Sequence, residues 1–175
     1  MGKQIILAVD DGGNFLEYIP KEVGHRGAGR RHLAITVLLV NKKGQFLFQK
    51  RKHKIFNNIW DFTGATHPLH KEDGTDESLE EATWRCLEIE WGIKEKMSLK
   101  NLGVFNYFAK DGDYCENEHC FLMVGEYGGE VSMAPEVGYE YKWMEKEEFL
   151  KDLESNPQTY APWVIEGTKL LKVDK

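Results

Sequence analysis

Three histidines and two glutamates stand where they could bind one metal ion. His25 and His32 flank a segment rich in glycine and arginine, and His67 is followed by a proline. Glu116 and Glu118 are two residues apart, so in an extended chain both side chains point to one side, roughly 7 Å apart. Imidazole and carboxylate groups together suit zinc or manganese. The five residues come from three separate segments, so their spacing alone does not establish a shared site.

The alternation of side chains after Glu116 and Glu118 bears on whether these acids are buried. Their side of the strand continues with Cys120, Leu122 and Val124, which is typical of a core face. Two carboxylates beside an apolar face repel each other and resist loss of water, and a divalent cation would relieve both effects. The alternative is an exposed turn in which neither acid is buried, and the residues alone favour it. The remaining histidines are interpreted as surface or packing residues: His53, His70 and His119.

A helix is predicted from about Glu77 to Trp91, because turn-forming residues precede it and Gly92 follows it. Glu90 lies in the middle of the apolar face of this helix. An acid on the core side is costly unless hydrogen bonds or a cation compensate it. Two interpretations stay open: a functional carboxylate, or a side chain near the helix end that reaches water. The opposite, solvated face carries Glu77, Glu81 and Glu88.

Hydrophobic periodicity predicts the elements that must position these residues. Leu33–Val40 and Gln45–Lys50, joined by a turn that contains glycine, are typical of a β-hairpin. One strong helix between strand-rich segments predicts an α/β (α+β) fold with a mixed-sheet sandwich rather than a regular βαβ repeat. Further strands are predicted at Leu102–Phe108, His119–Val124 and Tyr139–Met144, and further helices at Lys146–Glu154 and after Pro162.

The composition indicates a single domain spanning residues 1–175, since 41% hydrophobic content in a chain of this length can bury one core. A formal net charge of -6 disfavours duplex nucleic acid as a partner, whereas a few converging basic groups could still bind an anionic small molecule. Three cysteines without framework spacing fit a reducing compartment. The N-terminal stretch is too weakly apolar for a signal peptide or membrane span, so we expect a soluble, cytoplasmic protein without a membrane partner.

Several short motifs occur together in an order that resembles the type I isopentenyl-diphosphate isomerases of the Nudix superfamily. They run from about Lys21 to the C-terminal helix, which is nearly the whole chain. Each motif is short, but their shared order and separations make the combination specific. The resemblance implies the Nudix fold, a mixed β-sheet sandwiched between helices. The motifs are Lys21-x3-His25, His25-x6-His32-Leu33, Asn58-Ile59-Trp60 leading to Thr66-His67-Pro68, Glu116-Asn117-Glu118 and Ala161-Pro162-Trp163.

The resemblance also implies how metals and a small-molecule diphosphate substrate would be bound. Glu90 would help to hold a Mg2+ ion that bridges the diphosphate, which accounts for an acid on the apolar face of its helix. Trp163 would cover the hydrocarbon end of the substrate, where the ring would face a developing carbocation. Mn2+ or Zn2+ would be held by His25, His32, His67, Glu116 and Glu118. The diphosphate oxygens would be contacted by Lys21, Arg51 and Lys54, with Lys52 as the alternative to Lys54.

The chain departs from this family at a proton-handling cysteine, because Ala65 stands two residues before the His-Pro pair. Glu118, with Tyr107 nearby, would handle the proton on one side of the alkene. Moving a double bond by protonation and deprotonation needs groups at both carbons. The resemblance therefore implies an enzyme whose ordinary isomerase chemistry is altered. Cys86 lies on the core face of its helix, and nothing in the sequence brings it to the alkene.

Two alternative functions remain open on the sequence. The first is a Nudix hydrolase that cleaves a diphosphate-linked small molecule with magnesium. The corresponding box retains Arg85, Glu90 and Gly92, but Cys86 and Ile89 replace two of its three acids. The second is a non-catalytic diphosphate-binding protein, which the missing cysteine suggests.

Overall fold

A computed structural model describes residues 3–172. Nine strands form one mixed sheet, and helices cover both of its faces. The strands are β1 (Ile5–Val9), β2 (Phe15–Pro20), β3 (His32–Val40), β4 (Phe46–Arg51), β5 (Trp60–Asp61), β6 (Gly64–Thr66), β7 (Leu99–Asp111), β8 (Tyr114–Glu126) and β9 (Gly138–Met144). The helices are α1 (Lys21–Gly24), α2 (Leu79–Trp91), α3 (Lys146–Ser155) and α4 (Pro162–Leu171), with a short 3-10 helix at Pro157–Thr159.

Strand β3 is the central strand of the sheet. It pairs in parallel with β8 along its whole length, from His32 opposite Glu118 to Val40 opposite Glu126. β8 in turn forms a long antiparallel hairpin with β7. The paired ends of β3 and β8 therefore bring two candidate metal ligands together at one end of the sheet.

The sheet is split between β3 and β4, which pair only at Val40 and Phe46. Residues 60–66 lie in the split: β5 pairs with β4, and β6 pairs with β3. The chain crosses between the two partners at Thr63. Its hydroxyl donates to the carbonyl of Leu47 in β4 (2.9 Å) and accepts from the amide of Leu39 in β3 (2.8 Å). Thr63 therefore closes one end of the split, and a cavity occupies the rest.

Two apolar clusters hold the layers together. On one face, α2 packs on the sheet through residues such as Leu87 and Trp91. On the other face, α3 and α4 bury Phe149 and Val164 against the strands. The predicted mixed sheet between helices is confirmed. Among residues 3–172, no helix is long and apolar enough to span a membrane.

The predicted central helix forms, with one correction at its start. Ser78 caps α2 in a reciprocal pair of hydrogen bonds with Glu81, and Gly92 ends the helix with φ at 65°. Glu77 precedes the helix and is not on its solvated face, because its carboxylate is bound by Arg85. The other predicted strands and helices form with ends shifted by a few residues, whereas β1, β2, β5 and β6 were not predicted.

Candidate metal centre and substrate cavity

Five side chains converge at one end of the sheet. Each offers one ligand atom, and these atoms all lie within 4.8 Å of one another. All five residues are almost fully buried. Glu116 and Glu118 therefore do not lie in an exposed turn, which corrects the interpretation that the residues alone favoured. The five are His25, His32, His67, Glu116 and Glu118.

Backbone pairing brings these residues together from distant parts of the chain. His32 begins β3 beside Glu118 of β8. His25 follows α1, and its carbonyl accepts from the amide of Cys115, the residue before Glu116 (3.0 Å). His67 directly follows β6, which pairs with β3.

Two of the histidines are oriented by their own backbone. Nδ1 of His25 lies 2.7 Å from the carbonyl oxygen of Lys21, and Nδ1 of His32 lies 2.7 Å from that of Arg30. A carbonyl only accepts, so each Nδ1 carries the proton and each Nε2 presents a lone pair to the cluster. Such a contact on the far ring nitrogen is the usual support of a metal-binding histidine.

The centre of the cluster contains polar atoms without partners. Nε2 of His32 and Oε2 of Glu116 are buried and form no hydrogen bond within the described residues. Nε2 of His25 lies 3.1 Å from Oε2 of Glu116, but its ring carries the proton on Nδ1, so this contact supplies no donor. Nε2 of His32 lies 3.6 Å from Oε1 of Glu118, which is too long for a hydrogen bond. Unpartnered buried polar atoms are costly. A cation in contact with both would remove that cost, so the residues present fit a transition metal.

The electrostatics of the cluster shift the pKa values of its residues in different directions. Burial lowers the pKa of His67 well below its usual value. Burial also acts to lower the pKa of His25, but the nearby Glu116 carboxylate outweighs it and raises that pKa. Burial acts to raise the pKa of Glu118, whereas the neighbouring His32 and Tyr107 outweigh it and lower that pKa. An ionised Glu118 beside a neutral His67 is suited to bind a divalent cation.

A cavity of about 320 Å3 opens from the metal cluster into the split of the sheet. The structure places nearly all of the predicted site residues on its wall, together with Ala65. Thr36 of β3 and Gln49 of β4 line its two sides. The predicted residues on the wall are Lys21, His25, Arg51, His67, Glu90, Tyr107, Glu116, Glu118 and Trp163. His53, interpreted above as a surface or packing residue, also lines it.

The two candidate lysines of the diphosphate site separate in the structure. Lys54 lies at the mouth, where it lines a second cavity together with Lys21 and His25. Its ammonium group contacts the hydroxyl of Tyr114. Lys52 points away and donates to the carbonyl of Pro135 (3.0 Å). Geometry thus favours Lys54 of the two.

Glu90 enters the cavity from the α2 side, apart from the five-residue cluster. Its Oε2 accepts from Nε2 of Gln49 at 3.1 Å. Burial raises the pKa of Glu90 to about 7. The carboxylate is half-buried in the cavity wall and accepts from an uncharged donor, so its charge can serve to bind a cation.

Cys86 and Asp61 were given no role in the site from the sequence alone. Cys86 lines the same cavity as Ala65, and a Cβ on Gly64 would lie only 2.8 Å from its Sγ. Burial raises the pKa of the Cys86 thiol well above its usual value. Asp61 is fully buried and binds two of the predicted substrate residues. No spacing in the sequence signals the contacts of Asp61 with Arg51 and Trp163, because these residues lie in separate elements.

Arg85 supports the metal centre from outside. Its guanidinium binds both carboxylate oxygens of Glu77 at 2.7 Å. It also donates to the carbonyl of His67 (2.8 Å). The pair therefore fixes the backbone that carries His67, one of the five clustered residues.

Comparisons with known proteins agree with this geometry. Residues 30–164 match the NUDIX domain. The chain is 25% identical over 166 residues to the isopentenyl-diphosphate Delta-isomerase of Brevibacterium linens, covering 93% of this chain and 88% of that protein. It is 29% identical over 162 residues to the enzyme of the same name from Nocardia farcinica, covering 90% and 89%. The resemblance seen in the motifs is confirmed.

Solved structures share the fold at lower identity. DR0079 from Deinococcus radiodurans superposes with a TM-score of 0.72 at 14% identity, covering 99% of this chain and 100% of that one. The MutT protein from Methanosarcina mazei Go1 gives a TM-score of 0.62 at 21% identity, covering 83% and 96%. These likenesses show a common architecture.

Proposed function

The chain belongs to the NUDIX domain family, and from that membership we propose that it is a metal-dependent enzyme of the type I isopentenyl-diphosphate isomerase kind. Its substrate is an isoprenoid-type or similar small diphosphate. The observation that carries the proposal is the cluster of three histidines and two glutamates, with ligand atoms within 4.8 Å of one another. Relatives named isopentenyl-diphosphate isomerases, aligned over most of the chain, support it.

The cluster would hold Mn2+ or Zn2+, the cations that combined imidazole and carboxylate ligands suit. When bound, the ion supplies positive charge that keeps Glu118 ionised and in place. The fit rests on the buried Nε2 of His32 and Oε2 of Glu116, neither of which forms a hydrogen bond within residues 3–172. Glu90, alone on the opposite wall, would help to hold Mg2+ with the diphosphate.

Cationic and aromatic side chains bind and orient the substrate in this proposal. Lys21 and Arg51 on the wall and Lys54 at the mouth contact the diphosphate oxygens. Partial burial lowers the pKa of Lys21, against the opposing effect of Glu116. Trp163, only 3% exposed, covers the hydrocarbon end and excludes water from it.

Glu118 and Tyr107 hold the proton on one side of the substrate. Oε2 of Glu118 accepts a 2.5 Å hydrogen bond from the phenol of Tyr107. Ala65 has no proton to transfer on the other side, so normal double-bond migration lacks one of its two groups. The proposed chemistry is therefore an altered one on the same class of substrate.

One observation favours hydrolysis as a second candidate function. Glu90 of the Nudix box lines the cavity, where it could gather magnesium for attack by water. Cys86 and Ile89 stand where the box has its other acids, and Ile89 is 60% exposed. Isomerase-like chemistry is preferred, since the five-residue cluster is complete and the hydrolytic acids are not.

The test is a paired assay on the metal-loaded protein. Proton NMR follows isopentenyl diphosphate over time while phosphate release is read in parallel, with the Glu118→Gln variant as the matched inactive control. The proposal is supported if the wild type converts the hydrocarbon part of isopentenyl diphosphate and Glu118→Gln does not. Phosphate release without isomerisation would indicate that the protein is a hydrolase. Binding of the diphosphate without any turnover would indicate a non-catalytic binding protein.

A further inference from the structure

Asp61 is a buried acid that no motif of the sequence singled out. It lies in β5, opposite Gln49 of β4, and has no exposed surface. Its Oδ2 accepts from Nη1 of Arg51 at 2.8 Å, and its Oδ1 accepts from Nε1 of Trp163 at 2.6 Å. One carboxylate therefore joins two residues that are assigned above to opposite ends of the substrate.

Arg51 and Trp163 are also in direct contact with each other. The guanidinium carbon of Arg51 lies 4.7 Å from the centre of a Trp163 ring. Nε of Arg51 donates to the carbonyl of Phe56 (3.2 Å), and the Phe56 ring meets Trp163 edge-on at 5.5 Å. On another side, Tyr107 lies 6.1 Å from Trp163 between ring centres. The indole thus lies between Arg51, the proposed cation for the diphosphate, and Tyr107 of the proton-handling pair.

We propose that Asp61 is a positioning residue that locks Arg51 and Trp163 into one unit, and so fixes the separation between the diphosphate and the hydrocarbon part of a bound substrate. This inference rests on the proposed function, which supplies the roles of the two residues. It concerns selectivity: the locked unit favours diphosphates whose hydrocarbon reaches the indole.

The chemistry of the side chain explains why a carboxylate is required. Arg51 and the Trp163 indole are both pure donors, and an ionised Asp61 offers an acceptor to each. An asparagine of the same shape has one acceptor and one amide that donates. Asp61→Asn therefore leaves either Arg51 or Trp163 facing a donor. It breaks one of the two hydrogen bonds that join these residues, while the volume of the side chain stays the same.

The experiment compares two ligands that differ only in the hydrocarbon. Isopentenyl diphosphate and methyl diphosphate are titrated into the Mg2+- and Mn2+-loaded protein by calorimetry. In Asp61→Asn we expect the affinity for isopentenyl diphosphate to fall about tenfold relative to that for methyl diphosphate, because the contact with the indole is lost. A cooperative urea unfolding transition shows that the variant is folded, because Asp61→Asn can also weaken the contact of Arg51 with either diphosphate. Asp152→Asn is the matched control, since Asp152 binds Tyr160 and Asn156 outside the cavity.

A second readout does not depend on any ligand. The indole N–H resonance of Trp163, assigned by its loss in Trp163→Phe, should move in Asp61→Asn and stay in place in Asp152→Asn. An unchanged ratio of the two affinities, or an unmoved resonance, overturns the role of Asp61. If the wild type binds neither ligand, the proposed function fails, and the resonance then decides the Asp61 contact alone.

Discussion

The phenol of Tyr107 donates a 2.5 Å hydrogen bond to Oε2 of Glu118, its direct partner across the β7–β8 hairpin. The other oxygen of the same carboxylate, Oε1, lies 3.1 Å from Nε2 of His67. One buried carboxylate therefore faces the metal cluster with one oxygen and the cavity wall with the other. Its charge and position depend on both neighbours.

Tyr107→Phe should weaken this arrangement without changing the packing. A hydrogen bond to a charged group contributes about 1.5–3 kcal/mol, so we expect that loss in the free energy of unfolding in urea. Metal-dependent turnover should fall at least about tenfold, since Glu118 loses its orienting partner. Tyr127→Phe is the control, because its hydroxyl donates to the carbonyl of Glu130, outside the cavity. Equal turnover in Tyr107→Phe and wild type would contradict the assignment.

Ala65→Cys should restore a proton-handling group on the second side of the cavity. Ala65 lines the cavity and is paired with Thr36 in β3, so a thiol there would face the substrate. We expect the rate of isopentenyl diphosphate isomerisation to rise about a hundredfold, the usual contribution of one general acid or base. Ala65→Ser is the matched control with a far weaker acid. A rate that stays at the wild-type level would argue against the isomerase-like site.

Glu90→Gln should stabilise the metal-free protein at alkaline pH. The folded pKa of Glu90 is raised from 4.5 to about 7 by burial. A carboxyl group with a raised folded pKa contributes stability that is fully present below pH 4.5 and is lost as the pH rises through 7. The glutamine stays neutral, so we expect a gain of about 1–3 kcal/mol in unfolding free energy near pH 8 and none at acid pH.

The control for that pH profile is Glu88→Gln on the exposed side of the same helix. It should shift the stability little at either pH. A Glu90→Gln variant that is as stable as the wild type near pH 8, measured in urea with a chelator present, would show that the carboxylate is well solvated.

Arg85→Gln should destabilise the protein through the support of His67. The substitution breaks the two-oxygen contact with Glu77 and the bond to the His67 carbonyl. Both partners are partly buried, so we expect a loss of about 2–4 kcal/mol in urea unfolding. Lys169→Gln, which breaks an exposed pair with Glu166, should cost less than about 1 kcal/mol. Similar losses in the two variants would rule out the supporting role.

Removing the metal should lower the melting temperature. Binding to the folded state alone stabilises by about 2.7 kcal/mol when free Mn2+ is a hundred times its dissociation constant. We expect a chelator to reverse that gain and Glu116→Gln to reduce it. Glu22→Gln, an exposed acid in α1, should leave the response to Mn2+ unchanged. A melting temperature that ignores both Mn2+ and the chelator would exclude a structural transition metal.

The sequence predicted the fold where local patterns are strong. The two strands after His32, the central helix and the strand of Glu118 all carry clear periodicity, and they form. The predicted hairpin between the first two strands does not extend along them, because they pair only at Val40 and Phe46. The two-residue β5 and three-residue β6 carry none, because contacts of Thr63 with distant strands hold them in place.

The clustering of the five candidate ligands was predictable from the resemblance, whereas the buried acid beside them was not. Resemblance placed the five ligands, while the residues alone favoured an exposed turn for Glu116. That interpretation was wrong because β8 begins at Tyr114 and pairs there with β7, which buries both acids. Asp61 acts through contacts with Arg51 and Trp163 that no motif of the sequence signals. Arg85 matches the Nudix box, and its contacts with Glu77 and with the carbonyl of His67 are seen only in the fold.

The cavity lies where two strands part, and the contacts of Thr63 with both strands lock that side of its wall. Lengthening the connection at residues 60–66 would break these contacts and open the sheet before it enlarged the pocket. On that side, a new substrate is accommodated by exchange of single side chains such as Thr36 or Gln49. Loop grafting, the common route to altered specificity in scaffolds with long surface loops, would reach only the part of the wall that residues such as His53, Ile55 and Val137 supply.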